Sequence, residues 1–204
     1  MPNWCQNTLV VEGKQEDIKE FRDFIKGETI EGKERIFDFG KVISTEGEEA
    51  KWRKEWDKLS AKEQKERWHD DFGTYWFNVG KGYGWCVENW GTKWNACDTD
   101  ISIDEPEKFA IFFATAWSPP EPIIKELAMQ FNKLDFTFEY EEWGMAFAGV
   151  YETKKGRVVN EGSWDIDIGE CPNCEYTNVK PTEQEKYVCG DCQHEYTNDE
   201  VVEQ

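Results

Sequence analysis

The chain is poor in histidine, in positive charge and in long apolar runs. It has 2 histidines, and its 24 Lys and Arg residues face 43 Asp and Glu residues, which gives a net charge of −19. No apolar stretch is long enough to cross a bilayer, and the N-terminus lacks the charged-then-apolar layout of a signal peptide. We therefore expect a cytoplasmic protein that does not engage a membrane.

Groups that support catalysis are also scarce. His69 lies in a charge-dense segment and His194 follows the last cysteine, and neither has a nearby Ser or Cys partner. The glycine-rich stretch 80–84 lacks the Gly-Lys-Ser/Thr ending of a phosphate-binding loop, so it predicts a turn. We expect no enzymatic activity, although a metal-dependent hydrolase such as a nuclease stays open because carboxylates are plentiful.

Four cysteines near the C-terminus carry the strongest chemical signal. Cys171 and Cys174 form one C-x2-C pair, Cys189 and Cys192 form another, and fourteen residues separate the pairs. Two such turns facing each other build a closed tetrahedral site, which leaves no open position for a substrate. The spacing predicts a zinc ribbon that holds one structural Zn²⁺.

Two other assignments of these cysteines remain open. A disulfide framework is one, although the thiols of a cytoplasmic protein are normally reduced. Replacement of a cysteine ligand by His194 is the other. The remaining cysteines, Cys5, Cys86 and Cys97, have apolar or aromatic neighbours and are expected to be buried core residues rather than nucleophiles.

The C-terminal segment is strongly acidic. Residues 160–204 contain twelve acids and two lysines, a net charge of −10. A zinc ribbon that binds nucleic acid needs a basic face to attract the phosphates. Direct DNA binding by this acidic segment is therefore disfavoured. The charge serves either solubility or the binding of a protein with a basic surface.

The order of predicted elements indicates the fold class. A strand over residues 5–12 precedes an amphipathic helix that begins near Gln15, and a charge-dense helical insertion occupies about 46–70. Strands at 98–104 and 108–116, a helix capped by Ser118, and strands at 135–142 and 145–151 follow. This is an α+β, ferredoxin-like split βαβ arrangement, an antiparallel sheet with two helices on one face, plus the C-terminal zinc ribbon.

The expected divisions are a domain at 1–152, a linker with at most one short strand at 153–169, and an acidic zinc ribbon and tail at 170–204.

Three sequence motifs resemble those of the YubB-like ferredoxin-fold family. The motifs are the opening residues 1–13 with Trp4, Cys5 and Asn7, the segment 88–95, and the segment 115–120. Together with the strand pair near Tyr140 and Gly149, the resemblance covers about residues 1–151. It implies an origin in bacteriophages, prophages or plasmids, a ferredoxin-like fold and no known reaction. The chain departs from the family pattern after Phe39, where a proline-rich run is absent, and over 46–70.

Indole and amide side chains cluster at the predicted strand ends. Such a cluster could stack a base and hold a phosphate, or it could be a hydrogen-bonded layer of the core. The residues concerned are Asn3, Trp4, Asn7, Trp90, Lys93, Trp94, Asn95, Trp117 and Ser118.

Two functions follow as expectations. The first is a non-enzymatic binding protein, encoded by a phage or plasmid, that acts on host machinery through protein–protein contact, with inhibition of host defence as one form. The alternative is a small-ligand binder that holds or sequesters a nucleotide at Trp90, Lys93, Trp94 and Trp117.

Overall fold

The fold is seen in a computed structural model of the 204-residue chain. The structure describes residues 3–28, 34–45, 58–60, 62, 82–166, 173–174, 179–181, 187–189 and 192–196. The predicted helical insertion at about 46–70 therefore lies almost entirely outside the described residues, as does Cys171.

A six-stranded antiparallel sheet forms the centre of the described N-terminal region. Its strands are β1 (Trp4–Glu12), β4 (Cys97–Asp104), β5 (Lys108–Ala116), β6 (Asp135–Glu142), β7 (Phe147–Lys154) and β8 (Arg157–Asp165). Their order across the sheet is β4-β5-β1-β6-β7-β8. The first four strands of this order have the topology of a split βαβ fold, with β1 between β5 and β6.

Short strands make two smaller sheets. β2 (Gly27–Glu28) pairs with β3 (Glu34–Arg35). Near the C-terminus, β9 (Val179–Pro181), β10 (Tyr187–Cys189) and β11 (Glu195–Tyr196) form a three-stranded sheet in the order β11-β10-β9.

In the part of the chain that the structure describes, four helices contribute to one hydrophobic core on one face of the large sheet. They are α1 (Gln15–Ile25), α2 (Phe39–Val42), α3 (Gly82–Trp90) and α4 (Glu121–Gln130). In α1 the apolar positions recur at helical spacing, so Ile18, Phe21 and Ile25 are buried together. In β1 every second side chain is buried, from Cys5 to Val11, because successive residues of a strand point to opposite faces. The prediction of a ferredoxin-like, sheet-dominated α+β domain is confirmed.

The sheet extends beyond the predicted domain. Residues 157–165 fall in the expected linker, but they form β8, a nine-residue strand paired with β7. A two-residue turn joins the two strands, and both of its residues have positive φ, 49° at Lys155 and 72° at Gly156. That geometry matches the right-handed twist of a hairpin, which explains why the chain reverses here and continues as a strand.

Two local predictions need correction. Residues 82–84, expected in a turn, begin α3, because burial of Cys86 and Trp90 against the core outweighs the low helix propensity of glycine. Ser118 does not cap α4, whose N-cap is Pro120. The hydroxyl of Ser118 donates instead to the Gly91 carbonyl at 2.6 Å.

Among the described helices, none has both the length and the apolar character needed to cross a membrane.

Candidate metal centre

Three of the four predicted cysteine ligands come together. The sulfur atoms of Cys174, Cys189 and Cys192 all lie within 4.8 Å of one another, and those of Cys174 and Cys189 are 3.5 Å apart. Sulfurs at tetrahedral positions about 2.3 Å from a Zn²⁺ ion are roughly 3.8 Å apart. A disulfide would require a separation of about 2.05 Å. The three cysteines can therefore hold a metal ion.

The backbone around β10 orients the sulfur of Cys189. The Cys192 amide donates to Cys189 Sγ at 3.5 Å, and the Gln193 amide donates to the Cys189 carbonyl at 2.9 Å. The Cys189 amide in turn donates to the His194 carbonyl at 2.9 Å. Amide donors directed at a ligand sulfur fix its position and offset its negative charge.

One supporting side chain was not predicted. Asn173, which lies between the first two cysteines, donates from Nδ2 to Cys192 Sγ at 3.5 Å and so connects the two C-x2-C turns. Sequence offers only a weak signal for this role, the amide side chain inside the first C-x2-C pair.

His194 takes part in the site through its backbone. Its ring stacks on Tyr196, with ring centroids 6.0 Å apart and planes at 18°. Among the described residues, the group of converging potential ligands consists of the three cysteines.

Among the described residues of this segment, the hydrophobic core is very small. Cys189 and Tyr196 are buried, and Cys174 and Tyr187 pack against them while partly exposed. The apolar contacts of these described residues offset little of the conformational entropy lost in ordering them, so a bound metal would supply much of their folding free energy.

The predicted ligand-binding amides are used within the fold. Asn7 is 1% exposed, and its Nδ2 donates to the Cys5 carbonyl at 2.9 Å, to the Phe113 carbonyl at 3.2 Å and to Thr115 Oγ1 at 2.9 Å. Asn95 donates to Asp38 Oδ1 at 2.7 Å and accepts from the Phe39 amide at 2.9 Å. These contacts connect strand ends to loops, as expected of a hydrogen-bonded core layer.

The segments around Ser118 and Asn3 are connected in the same way. Besides the bond from Ser118 to Gly91, buried Thr92 donates to the Ala116 carbonyl at 2.9 Å, and the Trp117 amide donates to the Asn3 carbonyl at 2.9 Å. The segments 91–95 and 115–118 are thereby fixed to the start of β1. Thr92 was not among the predicted residues.

The four residues predicted to hold a nucleotide differ greatly in exposure. Trp90 is 1% exposed and donates from Nε1 to the Ile43 carbonyl at 3.0 Å, so its ring is part of the core. Lys93 Nζ lies 5.0 Å from the ring centroid of Trp94, whose ring is 6.0 Å from that of Trp4. Trp117 is 44% exposed. Trp90 therefore cannot stack on a base in this conformation.

The other cysteines suit a core role. Cys5 and Cys86 are fully buried, which confirms their prediction, while Cys97 is partly exposed. Burial raises the pKa of Cys5 to about 12 and that of Cys97 to about 11, and it raises the pKa of Cys86 as well. A raised pKa disfavours the thiolate, which is the nucleophilic form.

Comparisons with known proteins agree with the fold. Residues 89–189 match a family model described as the ferredoxin-like domain in Api92-like protein. No curated protein matches the chain. Among solved structures, that of the protein api92 from Yersinia pseudotuberculosis is similar, with a TM-score of 0.50 and 10% sequence identity.

The similarity to this structure spans 80% of this chain and 98% of the Yersinia protein. At 10% identity, it shows the fold alone. The family match extends past the predicted domain boundary at 152 to Cys189, so it includes β8 and three of the four predicted ligands. Residues 89–189, about half of the chain, are therefore similar to the ferredoxin-like domain in Api92-like protein, and the topology of the large sheet agrees with that similarity.

Proposed function

We propose that the C-terminal segment is a zinc ribbon in which Cys171, Cys174, Cys189 and Cys192 hold one structural Zn²⁺. The convergence of three of these sulfurs within 4.8 Å supports the proposal. Cys171 completes the ligand set by its spacing from Cys174. A site with four thiolates is closed, so the ion would hold the segment together without taking part in a reaction.

We further propose that the protein is a non-enzymatic binding protein of a phage or plasmid. It acts in the cytoplasm of a bacterial host, on host machinery, through contact with a host protein that has a basic surface; inhibition of a host defence is one such action. The mobile-element origin is supported by the three YubB-like motifs.

The observation that carries the binding function is the charge of −19, of which −10 lies in residues 160–204. Four thiolates around Zn²⁺ would add two further negative charges to that segment. Phosphate groups would be repelled by it, whereas a basic protein surface would be attracted, and attraction of this kind accelerates association.

The experiment is affinity capture from a bacterial host lysate at low and high salt. We expect a host protein with a basic surface to be retained by the full chain at low salt and released at high salt, because screening weakens attraction between exposed charges. If no host protein is enriched at either salt concentration, the proposal fails.

Two other functions can be separated from this one. A nucleotide held near Lys93 and Trp117 is supported by the 44% exposure of Trp117 and opposed by the burial of Trp90. Lys93→Ala and Trp117→Ala should abolish nucleotide binding without unfolding the protein if that function is correct.

A metal-dependent hydrolase would be detected by an activity screen with divalent metals against DNA, RNA and nucleotides.

A further inference from the structure

The large sheet has a shallow groove on the face opposite its core. Because Cys5, Asn7 and Leu9 of β1 point into the core, Gln6 and Thr8 point to the other face. There they help to line a depression of about 300 Å³ that also contacts β5, β6, β7 and β8.

The groove has aromatic walls and a floor of smaller side chains. Phe112 of β5 is 39% exposed and Trp164 of β8 is 53% exposed. Thr8 pairs with Phe112 on one side, and Ala148 pairs with Trp164 on the other. The two aromatic residues lie four strands apart, which corresponds to about 19 Å at the usual strand spacing. An extended peptide of about six residues that lies across the strands spans this distance.

Two carboxylates lie between the aromatic walls. Glu139 pairs with Thr8 and Glu141 pairs with Gln6, so both acids lie in β6 on the groove face, about 7 Å apart. Both are exposed. Neither forms an ion pair with another residue of the described part of the chain.

We propose that this groove, defined by Gln6, Thr8, Phe112, Glu139, Glu141 and Trp164, binds an extended, arginine-bearing segment of the partner protein. The inference rests on the proposed function and names the surface and the recognition chemistry that it would use. Charge complementarity selects the occupant, since two unneutralised carboxylates between exposed aromatic rings match a cationic side chain with a flat face.

Arginine fits this groove better than lysine. Its planar guanidinium can form two parallel hydrogen bonds to a carboxylate and can also stack on an indole or phenyl ring. The ammonium group of lysine can make the ion pair but has no flat face to stack. A nucleic acid could stack on the aromatic rings, but Glu139 and Glu141 would repel its phosphates.

The test uses the full-length protein and a fluorescently labelled hexapeptide of alternating arginine and alanine. A lysine–alanine hexapeptide and a labelled single-stranded oligonucleotide serve as comparison probes. The charge variant is Glu139→Gln/Glu141→Gln. Its matched control is Glu20→Gln/Asp23→Asn, which removes the same charge from exposed positions of α1. Trp164→Ala is matched by Met129→Ala, which truncates another exposed apolar side chain, on α4.

We expect the arginine peptide to bind more tightly than the lysine peptide. The Glu139→Gln/Glu141→Gln variant should raise its Kd about tenfold, which corresponds to the loss of one charge-assisted hydrogen-bonded pair. The α1 control should change the Kd less than about twofold, because distant charges are screened. Trp164→Ala should raise the Kd about fivefold through lost stacking, and Met129→Ala should leave it unchanged.

Three results would overturn the proposal: no binding of the arginine peptide, equal weakening by the two charge variants, or groove-dependent binding of the oligonucleotide. The groove and the proposed function can fail separately. If the lysate partner is captured equally by the wild type and by Glu139→Gln/Glu141→Gln, the binding function stands and the groove is wrong. If peptide binding depends on the groove but no host protein is captured, the groove stands and the binding function is wrong.

Discussion

Asn7 stabilises the junction of β1 and β5 through one buried amide group, whose two N–H bonds are shared among three acceptors. Asn7→Ala removes all three contacts and leaves the Cys5 and Phe113 carbonyls with fewer donors in a dry environment. We expect the free energy of unfolding to fall by about 1–3 kcal/mol. Urea denaturation followed by circular dichroism measures this change.

Asn160→Ala in β8 is the control for Asn7→Ala, because Asn160 is exposed and its truncation should cost less than about 0.5 kcal/mol. Equal stability of the two variants would contradict a core role for Asn7. It would also return Asn7 to the set of candidate ligand-binding residues.

Cys5 and Cys86 should resist alkylation in the native protein. Burial raises the pKa of Cys5 from 9.0 to about 12, which lowers its thiolate fraction near pH 8 about a thousandfold. An exposed thiol reacts faster as the pH rises from 7 to 9, whereas these two should stay unlabelled over that range. Mass spectrometry after iodoacetamide treatment measures the alkylation of each cysteine. The control is unfolded protein, in which all cysteines are alkylated. Labelling of Cys5 in folded protein would refute its assignment to the core.

The convergence of Cys174, Cys189 and Cys192 could be predicted from sequence and the role of Asn7 could not, for a physical reason. A C-x2-C pair places two ligands on one local turn, so its chemistry is visible in four consecutive residues. Two of the hydrogen-bond partners of Asn7, Phe113 and Thr115, are 106 and 108 residues away in the sequence. Whether a polar residue meets such partners depends on the folded sheet.

At the scale of elements, the hairpin of β7 and β8 depends on its turn. Gly156 has a φ of 72°, and a Cβ atom there would lie 2.8 Å from Cβ of Asn132. Gly156→Val should therefore destabilise the protein by about 2 kcal/mol, through backbone strain and this close contact. Chemical denaturation measures the loss.

Gly162→Val is the matched control within the same hairpin, because a Cβ atom at Gly162 meets nothing within 4 Å and its φ is not positive. We expect this variant to stay within about 0.5 kcal/mol of the wild type. If the two valine variants are equally stable, the turn does not determine the hairpin.

The predicted strands and helices of the core were confirmed where their apolar pattern was regular, as in β1 and α1. β8 was expected as no more than one short strand in a linker, because its sequence lacks the alternation that marks a half-buried strand, and all nine of its residues are exposed. Phe112 was missed as a groove residue because it lies in a run of apolar residues, in which the side that faces away from the core is not distinguishable.

At the scale of the whole molecule, the described residues form two separate hydrophobic cores of very different size. The core of the sheet and helices contains 23 buried residues, whereas that of the cysteine segment contains two, Cys189 and Tyr196. We therefore expect chelation to unfold about residues 165–200 while the 1–152 domain stays folded. Hydrogen exchange before and after chelator treatment tests this prediction; loss of protection in β1 as well would contradict it.

The central claim is that Cys171, Cys174, Cys189 and Cys192 together hold one Zn²⁺. Elemental analysis of protein purified without chelator tests it most directly. We expect one zinc per chain in the wild type and a large loss of zinc in Cys189→Ser, with the same local unfolding that chelation causes. A wild-type zinc content well below one per chain, or a Cys189→Ser variant that keeps its zinc, would contradict it.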